Sequence, residues 1–205
     1  ELLDFNPTTP LDAMSDDDED EEEEAEEAEE AEEEKPKHVQ GETKKIEVTP
    51  KLVKDWTKRL DQPNLKLIKT ILTAFKAAIN VNKADETDYK YSVTDSVAFQ
   101  SLIILGLKKV PVAIQKLFPY KIVKGSRTVP NADKAKQLNT ILKSHSGALL
   151  TLLNDITNTD TAVLVLSSVQ ELLPFFLSFR RILKELVTSV VNVWATTTDV
   201  ETQIA

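Results

Sequence analysis

The chain has 205 residues, with 34 Asp and Glu against 25 Lys and Arg, and no Cys. Disulfides, thiolate metal sites and cysteine nucleophiles are therefore closed to it. Its four glycines, Gly41, Gly106, Gly125 and Gly147, are too scattered for a phosphate-cradling loop or a dinucleotide fingerprint.

The charge is segregated along the chain. Residues 15–34, SDDDEDEEEEAEEAEEAEEE, hold sixteen acids and no base, and Glu1, Asp4 and Asp12 precede them. The other fifteen acids face all 25 Lys and Arg in 35–205, a balance of +10. An acidic tail joined to a basic body implies charged partners. A self-repelling, low-complexity run buries nothing that would offset its ordering entropy. Residues 1–48 are thus expected to be a disordered acidic tail and linker, and 49–205 a helical domain.

From Thr49 the periodicity is helical. Thr49-Pro50 pairs a hydroxyl N-cap with Pro at the first helical position. Leu52, Val53, Trp56 and Leu60 follow on one side. Pro63 is expected to open a second helix, with Leu65, Ile68, Leu72, Phe75 and Ile79 stepping by three and four. KADETDYKYS, 83–92, is expected as a loop. Thr94 or Asp95 caps a third helix carrying Val97, Leu102 and Leu105, which Pro111 is expected to interrupt; a short helix then runs to Pro119.

PYKIVKGSRTVP, 119–130, is the longest internal loop expected. Asn131 should cap a long helix with Ala135, Leu138, Ile141, Leu142, Leu149 and Leu153. Thr159 or Asp160 should cap the very apolar TAVLVLSSVQELL, stopped by Pro174. In the next helix Phe176, Phe179, Leu183, Leu186, Val190 and Val193 form an apolar face that Val187, Val191 and Trp194 widen. Thr198-Asp-Val-Glu201 has a capping-box pattern and begins another helix.

No segment suits a membrane or a secretory signal. A span needs roughly 20 predominantly apolar residues, and the longest charge-free run, between Glu185 and Asp199, is broken by Asn192 and five hydroxyls. ELLDFNPTTPLDAM lacks a basic start and an apolar core. The absent initial Met and an end inside a starting helix read as a fragment of a longer protein. About seven helices without strand alternation predict an all-α fold. An irregular HEAT- or armadillo-like α-solenoid is the natural architecture, truncated at its C-terminus, and a globular bundle is the alternative.

Three blocks carry a family resemblance: TILTAFKAAINV at 70–81, YSVTDSVAFQSLIILGLKKVPVAIQKLF at 91–118, and ELLPFFLSFRRILKELVTSVVNVWATTTDVETQIA at 171–205. In order and spacing they resemble the nucleolar complex protein 2 family, over the N-terminal part of its helical domain. The acidic tract ahead of the domain is similar too. The resemblance implies a non-enzymatic scaffold of pre-60S ribosome assembly and intranuclear transport. It implies residence in the nucleolus and nucleoplasm, a heterodimer with another nucleolar complex protein, and contact with pre-60S particles, their rRNA and ribosomal proteins.

Candidate contact residues follow. Lys108-Lys109 are read as closing the third helix, where cations either complement its dipole or meet rRNA phosphate. Lys121, Lys124 and Arg127 lie in an acid-free loop with Tyr120 available for stacking. Arg180-Arg181 are further phosphate candidates, against pairing with Glu185. Phe175, Phe176 and Trp194 are candidates for contact with a partner protein. The acidic tail either solubilises, binds basic proteins such as histones, or folds back on the basic domain. A nuclear histone-binding or transcription-regulating adaptor is the alternative function, and an importin-like carrier a third. Dispersed carboxylates, and a Ser144-His145-Ser146 without the paired glycines of a nucleophile elbow, point away from catalysis. No metal, cofactor, small-molecule substrate or membrane is expected.

Overall fold

The computed structural model describes residues 45–81, 89–129, 136–156 and 158–205, all within the unit Lys44–Ala205. The expectations for the acidic tail, for the Asn131 cap and Ala135, and for most of the 83–92 loop lie outside these residues. Within them the fold is mostly helical, with seven helices.

The entry is a short strand, β1 (Ile46–Glu47), followed by α1 (Pro50–Arg59). Thr49 caps α1 as its sequence implies: its side chain accepts from Leu52 N, with Pro50 in the first turn. Val53 and Trp56 turn inward. In α2 (Leu65–Asn80) the cap is Asn64, whose Oδ1 accepts from Leu67 N at 2.8 Å; Pro63 lies just outside. Its apolar spacing buries Ile68, Ile71, Leu72 and Phe75, which are among the largest side chains of the core.

The second strand, β2 (Tyr91–Ser92), runs parallel to β1 with Ile46 opposite Tyr91. Val48 N donates to Ser92 O at 2.9 Å, and Trp56 meets the Tyr91 ring edge-on at 6.1 Å. This pairing corrects the expectation of a plain loop through residue 92. Side chains one strand deep and β-branched only in part give no alternation to read.

Asp95 caps α3 (Ser96–Leu117), its carboxylate accepting from Val97 N and Ala98 N. Pro111 does not interrupt this helix. A π turn, Leu105–Lys109, precedes it, with Val110 N donating to Leu105 O. The wider turn moves the backbone where the proline ring would meet the preceding turn's carbonyl, and the helix continues. At 22 residues α3 is long and apolar enough to cross a membrane, yet half of its apolar stretch is buried. Ala98, Leu102, Leu105, Leu107, Val110 and Ile114 pack inward against α1, α2 and later α5, as in a core helix.

Residues 121–128 are a β-hairpin rather than an open loop. Strands β3 (Lys121–Val123) and β4 (Ser126–Thr128) are antiparallel, with Val123 opposite Ser126. The two linking residues, Lys124 and Gly125, have φ of 51° and 81°. Positive φ at both positions is the geometry that matches strand twist in a two-residue turn.

The remaining helices are α4 (Lys136–Asn154), α5 (Thr159–Phe176), α6 (Arg180–Thr196) and α7 (Val200–Ile204). Asn158 caps α5, not Thr159 or Asp160. Pro174 does not stop α5, which runs two residues beyond it. Asp199 caps α7, accepting from Thr202 N and Thr202 Oγ1, in place of the Thr198 box. Helix α4 is the hub, packed on α2, α5 and α6; α5 also touches α3 and α7. One continuous core links these layers, from Val53 and Phe75 through Leu142 and Leu149 to Phe176 and Leu186.

Candidate nucleic-acid interface

The basic residues are placed by a short chain of contacts. On α3, Gln115 Nε2 donates to Glu171 Oε2 of α5 at 2.6 Å and to the Glu171 carbonyl at 3.2 Å. Arg127 of the hairpin reaches the same Glu171 Oε2 at 3.8 Å and lies over the Tyr120 ring, 5.0 Å from its centroid. The hairpin is thus pinned to the C-terminal part of α5. Glu171 is about 8 Å along the axis from the end of that helix at Phe176. There the chain turns, and Lys143 of α4 sits over the Phe179 ring at 5.5 Å. Arg180 and Arg181 follow immediately in the first turn of α6. Lys143, Arg180 and Arg181 therefore lie around the α5–α6 turn, and Lys121, Lys124 and Arg127 on the hairpin that Glu171 holds.

Local energetics do not account for all of these cations. Arg180 and Arg181 stand at a helix N-terminus, where the macrodipole favours anions, and the first turn of α6 has no acid. Arg181 Nε reaches Glu185 Oε1 at 3.5 Å, with both side chains largely solvated. Such a pair adds at most a few tenths of a kcal/mol. The Arg127–Glu171 pair is also about 40% exposed, so solvent screens both ion pairs. Lys124 is exposed at the hairpin tip, flanked by exposed Ile122 and Val123. The Tyr120 ring is engaged by Arg127 on one face.

Lys108 and Lys109 are not at a helix end, because α3 runs on to Leu117. The dipole explanation for them is therefore removed. They lie on the π turn, both exposed, while Leu105, Gly106 and Leu107 of the same turn are buried. Gly106 fixes this turn against α2: a Cβ built there would meet Phe75 Cδ2 at 2.5 Å.

The partner candidates divide. Phe175 and Phe176 are core residues, almost fully buried, and present no surface. Their apolar run is the inward face of α5, and Pro174 beside them is buried as well. Trp194 is exposed, as are Val187 and Val191 on the same helix. Their spacing predicts a widened core face, but the core takes only Leu186, Ser189 and Val193 fully.

His145 is buried between α4 and α2, its ring 5.4 Å from Phe75. Neither ring nitrogen has a hydrogen-bond partner among the described residues. Desolvation lowers its pKa to about 4. Burial raises the Tyr91 phenol. Hydrogen bonds from Thr202 lower the Asp199 carboxyl. Among the described residues no three His, Asp or Glu side chains come together to hold a metal ion.

Fold and surface together define an all-α protein with exposed cations on the hairpin, on the π turn of α3 and at the start of α6. No family model matches the chain. Over 158 residues, 76% of this chain and 22% of the relative, it is 30% identical to an uncharacterized NOC2 family protein of Schizosaccharomyces pombe. It is 26% identical over 157 residues to nucleolar complex-associated protein 2 of Arabidopsis thaliana, covering 73% of this chain and 20% of that one. The nucleolar complex protein 2 homolog of Caenorhabditis elegans matches at 22% over 128 residues, 62% of this chain and 18% of its own. The chain belongs to the nucleolar complex protein 2 family. It spans about a fifth of the length of these curated relatives.

Proposed function

We propose that this chain forms part of a non-enzymatic scaffold for assembly of the large ribosomal subunit in the nucleolus and nucleoplasm. On this reading it binds pre-60S particles and another nucleolar complex protein, and accompanies particles within the nucleus. The names of its relatives support the nucleolar part of the reading. The exposed Lys121 and Lys124 of the hairpin, beside Arg127, and the exposed Lys108-Lys109 pair on α3 support the RNA part. Such cations release counterions from phosphate and bind without reading sequence. The packing of α4 against α2, α5 and α6 suits a HEAT-like helical scaffold.

The test is affinity purification of the full-length protein from nuclear extract, before and after RNase. Precursors of large-subunit rRNA should co-purify until RNA is digested, and a second nucleolar complex protein should survive digestion. Histones without pre-rRNA would overturn the scaffold reading in favour of a nuclear adaptor.

A further inference from the structure

Helix α6 carries two apolar faces, and the core uses one. Leu186, Ser189 and Val193 are buried. On the solvent side Arg180, Lys184, Val187, Val191 and Trp194 follow one another by four, three, four and three, and all five are exposed. Val187 is 50% exposed, Val191 54% and Trp194 60%. A 3.5-residue average step on an exposed face is the spacing of a helix-pairing seam, in which side chains insert between those of a facing helix. It suits neither an extended strand, with its period of two, nor the splayed bases of single-stranded RNA.

The seam is polar at one end only. Its amino-terminal third is Arg180 and Lys184, neither in an ion pair among the described residues, and its carboxy-terminal two thirds are Val187, Val191 and Trp194. Flanking positions add Thr188 and Ala195 and no acid. The unpaired amino-terminal N–H groups of α6 reinforce the positive end, since Phe179 provides no side-chain cap. The complement of such a stripe is a helix with apolar residues at the same spacing and carboxylates toward one end. We propose that the outer face of α6 is a docking seam for an amphipathic helix of a partner protein, with its acidic end set against Arg180 and Lys184. This rests on the scaffold reading and specifies where, and by what chemistry, a protein partner is held.

The two tryptophans separate the signal. Trp56 is 4% exposed and Trp194 60%, so a change in Trp emission on binding reports Trp194. The experiment titrates the chain with a synthetic peptide of about three heptads, Leu at the seam positions and Glu clustered at one end. A matched peptide has Lys in place of Glu. A saturable blue shift with the Glu peptide is expected, weakened at least tenfold by Val191→Asp and by Arg180→Glu with Lys184→Glu. These positions are exposed, so the variants should keep wild-type helicity, which circular dichroism checks. Equal binding of the Lys peptide, or binding unmoved by the variants, would overturn the proposal. So would a Trp194 signal that depends on protein concentration alone, since a second copy would then cover the seam, or one reproduced by a single-stranded RNA. Pre-rRNA that co-purifies before RNase, alongside failure of the peptide, would sink this seam and leave the scaffold reading standing.

Discussion

Gly106 and Phe75 are in contact so close that no other residue fits at the glycine: a Cβ there would meet the ring at 2.5, 2.8 and 3.1 Å. The contact joins the π turn of α3 to the centre of α2. In an open helix Ala would be favoured over Gly by about 1 kcal/mol. Here the ring cannot retreat, because it is fully buried and backed by His145. Overpacking of this kind costs about 1–3 kcal/mol and outweighs the propensity gain. Gly106→Ala should therefore lower the urea midpoint. Phe75→Leu in the same background should recover part of the loss, giving a clear coupling in a double-mutant cycle; strict additivity would refute the clash.

The sequence made this packing only half legible. The spacing of Leu65, Ile68, Leu72 and Phe75 gives α2 and its inward face, and Thr49-Pro50 gives the start of α1. What pattern cannot carry is a backbone adjustment. Pro111 and Pro174 are both breakers by local rule, yet a π turn accommodates one and the other lies two residues from the end of α5. The hairpin was available in principle: KIV and SRT flank a two-residue Lys-Gly turn, but with three-residue strands the alternation is too brief to weigh. Phe175 and Phe176 read equally as surface anchors or core, and only the packing of α5 against α3 and α4 decides. The cations of the candidate interface were legible as residues. The docking of the hairpin on α5 was not, because it depends on Glu171 holding Gln115 and Arg127.

His145 should make the fold acid-sensitive. The buried form is the neutral imidazole, and its pKa falls from 6.5 to about 4 through desolvation. The unfolded chain binds a proton at higher pH than the folded one, so the stabilisation is complete above pH 6.5 and is lost as pH falls toward 4. The full loss is about 3 kcal/mol. Urea midpoints measured from pH 7.5 to pH 4 should decline more steeply for the wild type than for His145→Leu. Carboxylates common to both proteins cancel in that difference. Parallel profiles would show that the imidazole is not desolvated.

Glu171 should restrain both the hairpin and its affinity for RNA. Its carboxylate holds Gln115 and Arg127, and it puts a negative charge beside the hairpin. The Arg127–Glu171 pair is about half exposed, so Glu171→Ala should cost no more than about 1 kcal/mol of stability. Trypsin cleavage after Lys121 and Lys124 should quicken as the hairpin loosens. Binding of a single-stranded RNA should tighten, because Arg127 is released and one acid is removed. Weaker RNA binding with an unchanged proteolysis rate would contradict this placing of Glu171.

Lys108 and Lys109 offer the sharper separation of surface from core. Both project from a π turn whose buried half, Leu105 to Leu107, is unaffected by their charge. Replacing both by Ala should shift stability by no more than about 0.5 kcal/mol, as expected of exposed positions. If each neutralises a phosphate, the logarithmic salt slope for a single-stranded RNA should shrink by about 0.7 per lysine. Lys121→Ala with Lys124→Ala should do the same at the hairpin, and the two pairs should combine additively if they meet different phosphates. A salt slope unchanged in the Lys108/Lys109 variant would leave that pair as a solvated face of α3. The RNA surface would then be confined to the hairpin.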